Sequence, residues 1–403
     1  MTLDASLREG FFAALHDAGI PRVPQEFSVT PCSQLIRRAL FLEVARFIRV
    51  FDEVTNRESW QAKACQEVFV TQPKRREICF FSAWDFHLTA EGGFKLIEFN
   101  DNGSGFLFAN IINALYWEAA GFGANGEIAA PASLPQFRRQ IADFVEQEAR
   151  AFFGEIPQGL FLILDDEESL RRGKFRQEHA LLCDILRARG FQTQVGTAAQ
   201  TSWNGSQLFF EQSPVSFIVN RSTDFLWQSP AFSALRAAHE KGLVYAAPNP
   251  FTYSTRSGKR LLEWLSFPHW DEELGIKPSE RQLLSAHVPE THLLRPENLD
   301  WLAEHKDSFV FKPAHGFAGH GLLDSAHAGR ARLRRLLKQG ESYVAQRRVP
   351  KASIDFDGVP LWTDLRVWAC RGEIFLISGR ASRREERLDL APPGGWLPTY
   401  VSL

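Results

Sequence analysis

The sequence predicts a mixed α/β fold divided into two or three domains, and three observations carry that prediction. The chain has 403 residues, enough at roughly 100–200 residues per domain for several buried cores without a disulfide or metal staple. Between Gly159 and Ala247, short apolar runs alternate with amphipathic helical stretches, the pattern of strand–helix–strand units. Upstream, residues 77–88 and 94–99 are two runs rich in Ile, Phe and Trp, separated by the turn-like Thr89-Ala-Glu-Gly-Gly93, which signals a hairpin.

The elements follow in order. Residues 1–20 read as an amphipathic helix and 34–53 as another, whose apolar stripe runs through Leu35, Leu40, Leu42, Val44, Ala45, Ile48 and Phe51. After the hairpin, Asn102-Gly-Ser-Gly-Phe106 opens a helix over 107–120, and a further helix covers 134–153 with Phe137, Ile141, Phe144 and Val145. A strand at 160–164 runs into Asp165-Asp-Glu-Glu168, and a helix over 179–189 leads to a second strand at 191–195. The unit repeats with strands at 215–220 and 243–246 around a helix near 232–241, so an open α/β sheet is the economical arrangement. From about Pro248 the order is helix (259–266), strand (308–312), glycine loop, helix (325–339), then strands at 343–348, 365–369 and 373–378. The expected domains are 1–155, 156–250 and 251–403.

Composition narrows the function. Forty-six basic against 48 acidic side chains give a net charge of −2, so no bulk positive field exists to hold a polyanion, and nucleic acid is not an expected partner. Cys32, Cys65, Cys79, Cys183 and Cys370 are scattered, odd in number and free of C-x-x-C spacing, so reduced thiols and a cytoplasmic location are expected. The N-terminal stretch alternates charged and apolar residues, so no signal peptide is expected. No run of apolar residues is long enough to span a bilayer, so no membrane partner is expected either.

Two constellations carry chemistry. In Phe309-Val-Phe-Lys-Pro-Ala-His-Gly-Phe-Ala-Gly-His-Gly321 a buried strand delivers Lys312 at its exit, and the amides around Gly316, Gly319 and Gly321 are free to approach phosphate oxygens. The spacing fits neither the P-loop nor the dinucleotide fingerprint, and a glycine-rich hairpin connection beside a chance lysine gives the same pattern. The second constellation is Asp85 with Glu98 and Asn100 of Lys95-Leu-Ile-Glu-Phe-Asn100. Strand alternation sends Glu98 and Asn100 to one face, and Ile97 and Phe99 to the other. Asp85, across the hairpin, completes an all-oxygen set suited to Mg²⁺; a solvated hairpin face is the alternative.

The strand–Lys–glycine loop, Tyr343-Val-Ala-Gln-Arg-Arg-Val-Pro350, the strand Asp364-Leu-Arg-Val-Trp368 and the D…E-x-N hairpin together resemble the ATP-grasp ligases. In that family the E-x-N hairpin normally comes last, so the order here resembles a circularly permuted ATP-grasp protein of the kind that includes the glutathionylspermidine synthetases. The resemblance covers most of residues 80–400. It implies a permuted ATP-grasp fold with a Rossmann-like pre-ATP-grasp domain at 156–250.

ATP and Mg²⁺ are the implied cofactors, and the implied reaction is carboxylate–amine ligation through an acyl phosphate. Lys312 and Lys259 resemble the phosphate lysines, and Gly316, Gly319 and Gly321 the closing loop. Gln346, with Val349 beside it, resembles the hinge acceptor for the adenine amine. Arg366 and Arg380, acting with Lys312, resemble the groups on the transferred phosphate. Asp85, Glu98 and Asn100 resemble the metal set, and Arg221 and Asp224 are the candidates for holding a small-molecule carboxylate and amine. The chain departs from the family at Ala83, where an arginine often stands, and at His315 and His320, which flank the loop in place of small residues. An ATP-grasp kinase and a non-catalytic ATP-binding scaffold remain alternatives. A dinucleotide oxidoreductase is weakened because Asp165-Asp-Glu-Glu168 would repel a pyrophosphate.

Overall fold

A computed structural model describes residues 2–21, 27–68, 77, 81–124, 126–316, 321–385 and 390–403. At its centre the expected hairpin forms from Ser82–Leu88 and Phe94–Asn100. The free edge of Ser82–Leu88 pairs antiparallel with Leu365–Cys370, in the register that sets Asp85 opposite Arg366. The sheet continues through Glu373–Ser382, Val359–Thr363 and Ser353–Phe356, with Gly395–Leu397 added on Glu373–Ser382.

The two faces of this sheet meet different surroundings because side chains alternate along each strand. Trp84, Phe86, Leu365 and Val367 face Val44, Phe47 and Phe51 of helix Arg38–Thr55 in one core. On the opposite face Ala83 and Trp368 join a second core with Phe106 of helix Phe106–Ala119, which is apolar nearly all round and accordingly buried. Asp85, Arg366 and Arg380 lie further along that second face, where it opens onto a cleft.

A separate sheet carries four parallel strands in the order Thr193–Gly196, Leu160–Leu164, Ser213–Asn220, Tyr245–Ala247, extended by antiparallel Leu208–Phe210 and Thr201–Trp203. Every residue of Leu160–Leu164 is buried, as a strand covered on both faces requires. A third, antiparallel sheet orders Thr291–Leu293, Tyr343–Arg347 and Phe309–Pro313 over its own small core.

The structure differs from the sequence reading at several elements, one of them through strand pairing. The helix expected over 34–53 begins only at Arg38, because Gln34–Arg37 is a strand paired in parallel with Thr399–Ser402. Leu35 and Leu42, counted in the apolar stripe, are 46% and 55% exposed. The helix expected over 325–339 is confined to Arg330–Lys338. Helices Glu58–Val68 and Pro278–His287 and the hairpin Ser353–Phe356/Val359–Thr363 fall where no element was expected. Among the described residues, no helix is long and apolar enough to cross a membrane.

One glycine is fixed by crowding. A Cβ on Gly103 would lie 1.6 Å from the carbonyl oxygen of Phe81, and the Gly103 carbonyl accepts a hydrogen bond from Trp368 Nε1 at 3.0 Å. Gly103→Ala is therefore expected to destabilise the protein by about 1–3 kcal/mol, read as a lower urea midpoint at unchanged slope. An unshifted midpoint would refute the contact.

Candidate functional site

The three sheets leave a cleft of about 1050 Å³ between them, and its floor is the hairpin. Asp85 pairs with Glu98 while Phe86 pairs with Leu96, so Ile97 is the extra residue of a β-bulge. Leu96 and Phe99 consequently turn into the core, and Ile97, Glu98 and Asn100 line the cleft. This corrects the expectation that Ile97 sits with Phe99. The bulge also brings the Ile97 carbonyl within 3.4 Å of Lys312 Nζ.

Cations from three separate stretches meet this floor. Lys259, between the π-helical turn Tyr253–Ser257 and helix Leu261–Ser266, places Nζ 2.9 Å from Glu98 Oε1 and donates to the Gly316 carbonyl at 2.6 Å. Lys312 donates to Gln346 Oε1 at 2.6 Å. Arg366, directly across from Asp85, grips it bidentately at 2.6 and 2.7 Å. Arg380 reaches Asp85 Oδ2 at 3.1 Å and donates through Nε to Asp364 Oδ2 at 2.8 Å. The chain segments carrying Asp85 and Arg366 are 281 residues apart in sequence.

These contacts set the electrostatics. Burial alone would raise the Asp85 carboxyl, but Arg366 and Arg380 outweigh it and hold the group well below the usual carboxylate range. Burial works against the Arg380 charge, and Asp364 and Asp85 more than offset it, raising the guanidinium further. Burial brings Lys312 down to about 8, against the opposing pull of Glu98. Burial, with Lys351 and Lys312 nearby, lowers His87 to about 3, leaving a neutral imidazole whose Nδ1 is 3.1 Å from the Val349 carbonyl.

Eleven of the residues singled out from sequence line this one cleft: Asp85, Glu98, Asn100, Arg221, Lys259, Lys312, Gly316, Gln346, Val349, Arg366 and Arg380. Gln346 was expected to accept from an adenine amine, yet its Oε1 is committed to Lys312 on the adjoining strand. Gly321 is set back from the cleft beneath Pro313, with its carbonyl accepting from Tyr343 Oη at 3.0 Å. Gly319 and His320 lie outside the described residues. His315 Nδ1 sits 3.4 Å from the Oη of Tyr253, a lining residue, without itself lining the cleft.

Asp224 needs correction. Its oxygens accept the amides of Gln228 and Ser229 at 2.9 and 2.7 Å, which closes its own turn outside the cleft. His179 and Lys351 also line the cleft and were not singled out, and Asp165 and Asp364, named in the sequence motifs, were given no role in the site.

Oxygen donors suited to a hard divalent cation are present on the floor, since Glu98 and Asn100 share a face with Asp85 opposite. Both Asp85 oxygens are paired with arginine, and among the described residues no group of three or more His, Cys, Asp or Glu gathers around one metal position. The donor set is therefore lean, with Glu98 and Asn100 the principal candidates.

No protein-family model and no curated protein matches the sequence. Among solved structures, the apo form of a glutathione synthetase-like effector, GSS30 from Globodera pallida, aligns with a TM-score of 0.61 at 12% identity, covering 98% of this chain and 96% of that one. A putative gamma-glutamylcysteine synthetase from Methylobacillus flagellatus KT aligns with a TM-score of 0.48 at 14% identity, over 92% of this chain and 88% of that one. The ATP-grasp ligase PsnB in complex with minimal precursor aligns at 0.32 and 12%, over 61% of this chain and 90% of that one. The first alignment defines the class: a glutathione synthetase-like fold along nearly the whole chain. More particularly, it is a mixed helix-and-sheet architecture, the class of fold expected from the sequence.

Proposed function

We propose that the protein is an ATP-dependent carboxylate–amine ligase of the ATP-grasp type, using Mg-ATP and an acyl-phosphate intermediate. One observation carries this: Lys259, Lys312, Arg366 and Arg380, contributed by distant stretches, face the Glu98–Asn100 floor in a single cleft. The early position of that hairpin, paired with Leu365–Cys370, also supports a circularly permuted order, in which the proposed divisions 1–155 and 251–403 share one sheet and 156–250 stands between them.

A carboxylate approaching a triphosphate is repelled until that charge is offset, so the protein's contribution is position and countercharge. Lys312 and Lys259 would hold the phosphates, and Arg366 and Arg380 the transferred group. A divalent cation on Glu98 and Asn100, beside Asp85, would neutralise phosphate charge. Lys259 is bonded to Glu98 and Gly316, so nucleotide entry exchanges those contacts for phosphate oxygens. The substrate carboxylate would then take the γ-phosphoryl group of ATP, releasing ADP, and an amine would displace phosphate to form the amide.

Nucleotide binding without turnover is the second reading, favoured by the two arginines already occupying Asp85. An ADP-release screen with Mg²⁺ across amino acids, small peptides and polyamines, with mass measurement of products, separates the cases. ADP with a product lighter by one water than acid plus amine supports the ligase. A phosphorylated product marks a kinase, and ATP binding with no ADP marks a scaffold. The four described cysteines are all buried and unbridged, compatible with the cytoplasmic placement proposed here.

Lys312 also makes ATP binding proton-linked. With its ammonium brought down to about 8, a phosphate partner would raise it again, so binding takes up a proton at slightly alkaline pH. Calorimetry at about pH 8.5 in buffers of different ionisation enthalpy is expected to register up to about one proton taken up, and none in Lys312→Met. Buffer-independent heats in the wild type would contradict the linkage.

A further inference from the structure

A cluster of ionisable side chains on the parallel-sheet side of the cleft has no role in the chemistry above. The chain leaves Leu160–Leu164 for Thr193–Gly196 on one side and returns to Ser213–Asn220 on the other, so the carboxyl ends of Leu160–Leu164 and Ser213–Asn220 flank a topological switch point. Open α/β sheets bind ligands in that crevice. Asp165 follows the first of these strands and Arg221 the second, and the Arg221 amide donates to the Leu164 carbonyl at 2.6 Å.

The first turn of helix Arg176–Ala188 lies across the crevice and engages both strand ends. Glu178 pairs with Arg221 at 3.0 Å and accepts the Gly105 and Leu107 amides at 2.7 and 2.9 Å. His179 places Nε2 3.0 Å from Asp165 Oδ2, while Asp165 Oδ1 accepts the Asp166 amide at 2.7 Å. His179 is only 4% exposed and lines the cleft; among the described residues neither ring nitrogen has a hydrogen-bond partner, Nε2 meeting Asp165 only as a close ion-pair contact, and Arg221 Nε is likewise buried and unpartnered. Orphaned buried polar atoms of this kind are costly unless a ligand completes them.

We propose that this crevice receives the amine acceptor, and that His179, beside Asp165, takes the proton from the attacking nitrogen. The inference rests on the ligase function proposed above. An alkyl or α-amino group is largely protonated at neutral pH and must shed its proton to react. The nitrogen lone pair attacks the acyl carbon and the C–N bond forms. The bond from carbon to the phosphate oxygen breaks, and phosphate leaves with that electron pair. The ammonium proton passes to His179 Nδ1 to free that lone pair, the second proton lost from nitrogen as the amide forms leaves on the departing phosphate, and the imidazolium is stabilised by the adjacent Asp165.

Hydroxylamine separates this role from a structural one, because it is already neutral and nucleophilic near neutral pH and traps acyl phosphates as hydroxamates. The full-length protein is supplied with Mg-ATP and pooled L-amino acids and dipeptides, with and without hydroxylamine. In His179→Gln, amide formation is expected to fall on the order of 10²-fold while hydroxamate formation stays within about twofold of wild type. Asp165→Asn is expected to lower kcat for amide formation by a smaller factor with KM for ATP unchanged. Amide formation at the wild-type rate in His179→Gln, or equal loss of amide and hydroxamate, overturns the assignment. No hydroxamate and no ADP from the wild type overturns the ligase function itself, and this role with it.

Discussion

Lys312→Ala and Glu98→Gln are each expected to lower ATP-dependent ADP release by about 10²- to 10³-fold or more, the cost of removing one preorganised charge from a site that handles phosphoryl charge. Loss of folding is not the cause for the lysine, and the sign can be worked out. Burial brings the Lys312 ammonium down to about 8, so the folded chain binds fewer protons than the unfolded chain from there up to the ordinary lysine value near 10.4. Stability therefore rises with pH across that window and carries a penalty below it. Lys312→Ala is expected to melt no lower than wild type at pH 7 and to lose the alkaline rise, while turnover disappears. A stability–function conflict at one side chain is what a binding group held in a dry site produces. Glu98→Gln frees Lys259 from its 2.9 Å ion pair and removes the charge of the proposed metal ligand, so its loss is expected to be relieved little by raising Mg²⁺. Normal ADP release in both variants would dismiss the assignment of this cleft.

The parts of the site legible in sequence are those in which one strand or one loop holds the whole signal. Lys312 leaves a buried strand ahead of glycines, Glu98 and Asn100 are two apart on one strand, and Arg366 follows Asp364 in an apolar run, so each local pattern survives into the cleft. What failed depends on pairing. The bulge that turns Ile97 towards Lys312 is a property of register between two strands and leaves no mark on either alone. The strand Gln34–Arg37 exists because Thr399–Ser402 lies alongside it, and its residues read equally well as the first turn of the helix that follows. Asp224 has the composition of a binding carboxylate, but Asp is also the residue that closes such turns through its own side chain. His179 and Asp165 lie on different elements, and only the parallel sheet brings them within 3.0 Å.

Asp85→Asn is expected to cost about 3–5 kcal/mol of stability, because it removes the shared anion from two guanidinium groups set against one wall of the cleft. Arg366 and Asp85 face each other in register, and Arg380 approaches the same carboxylate at 3.1 Å, so among the described residues the amide leaves Arg366 with no charged partner and Arg380 with Asp364 alone. An exposed pair would be worth far less; these side chains are 7% exposed for Asp85 and 15% for Arg366. The pH dependence gives an independent check. A carboxyl held below its usual range stabilises the fold above the unfolded value near 3.9, and that stability is lost as pH falls below it. Wild-type unfolding free energy is thus expected to fall below about pH 4, with a shallower fall in Asp85→Asn. Adding Arg366→Met to Asp85→Asn is expected to recover part of the loss, since the uncompensated charge goes with the arginine. Chemical denaturation of the two single variants and the double variant measures the coupling directly. Additive losses would mean that the bidentate contact contributes nothing, and that the arginines are held in the cleft by other groups.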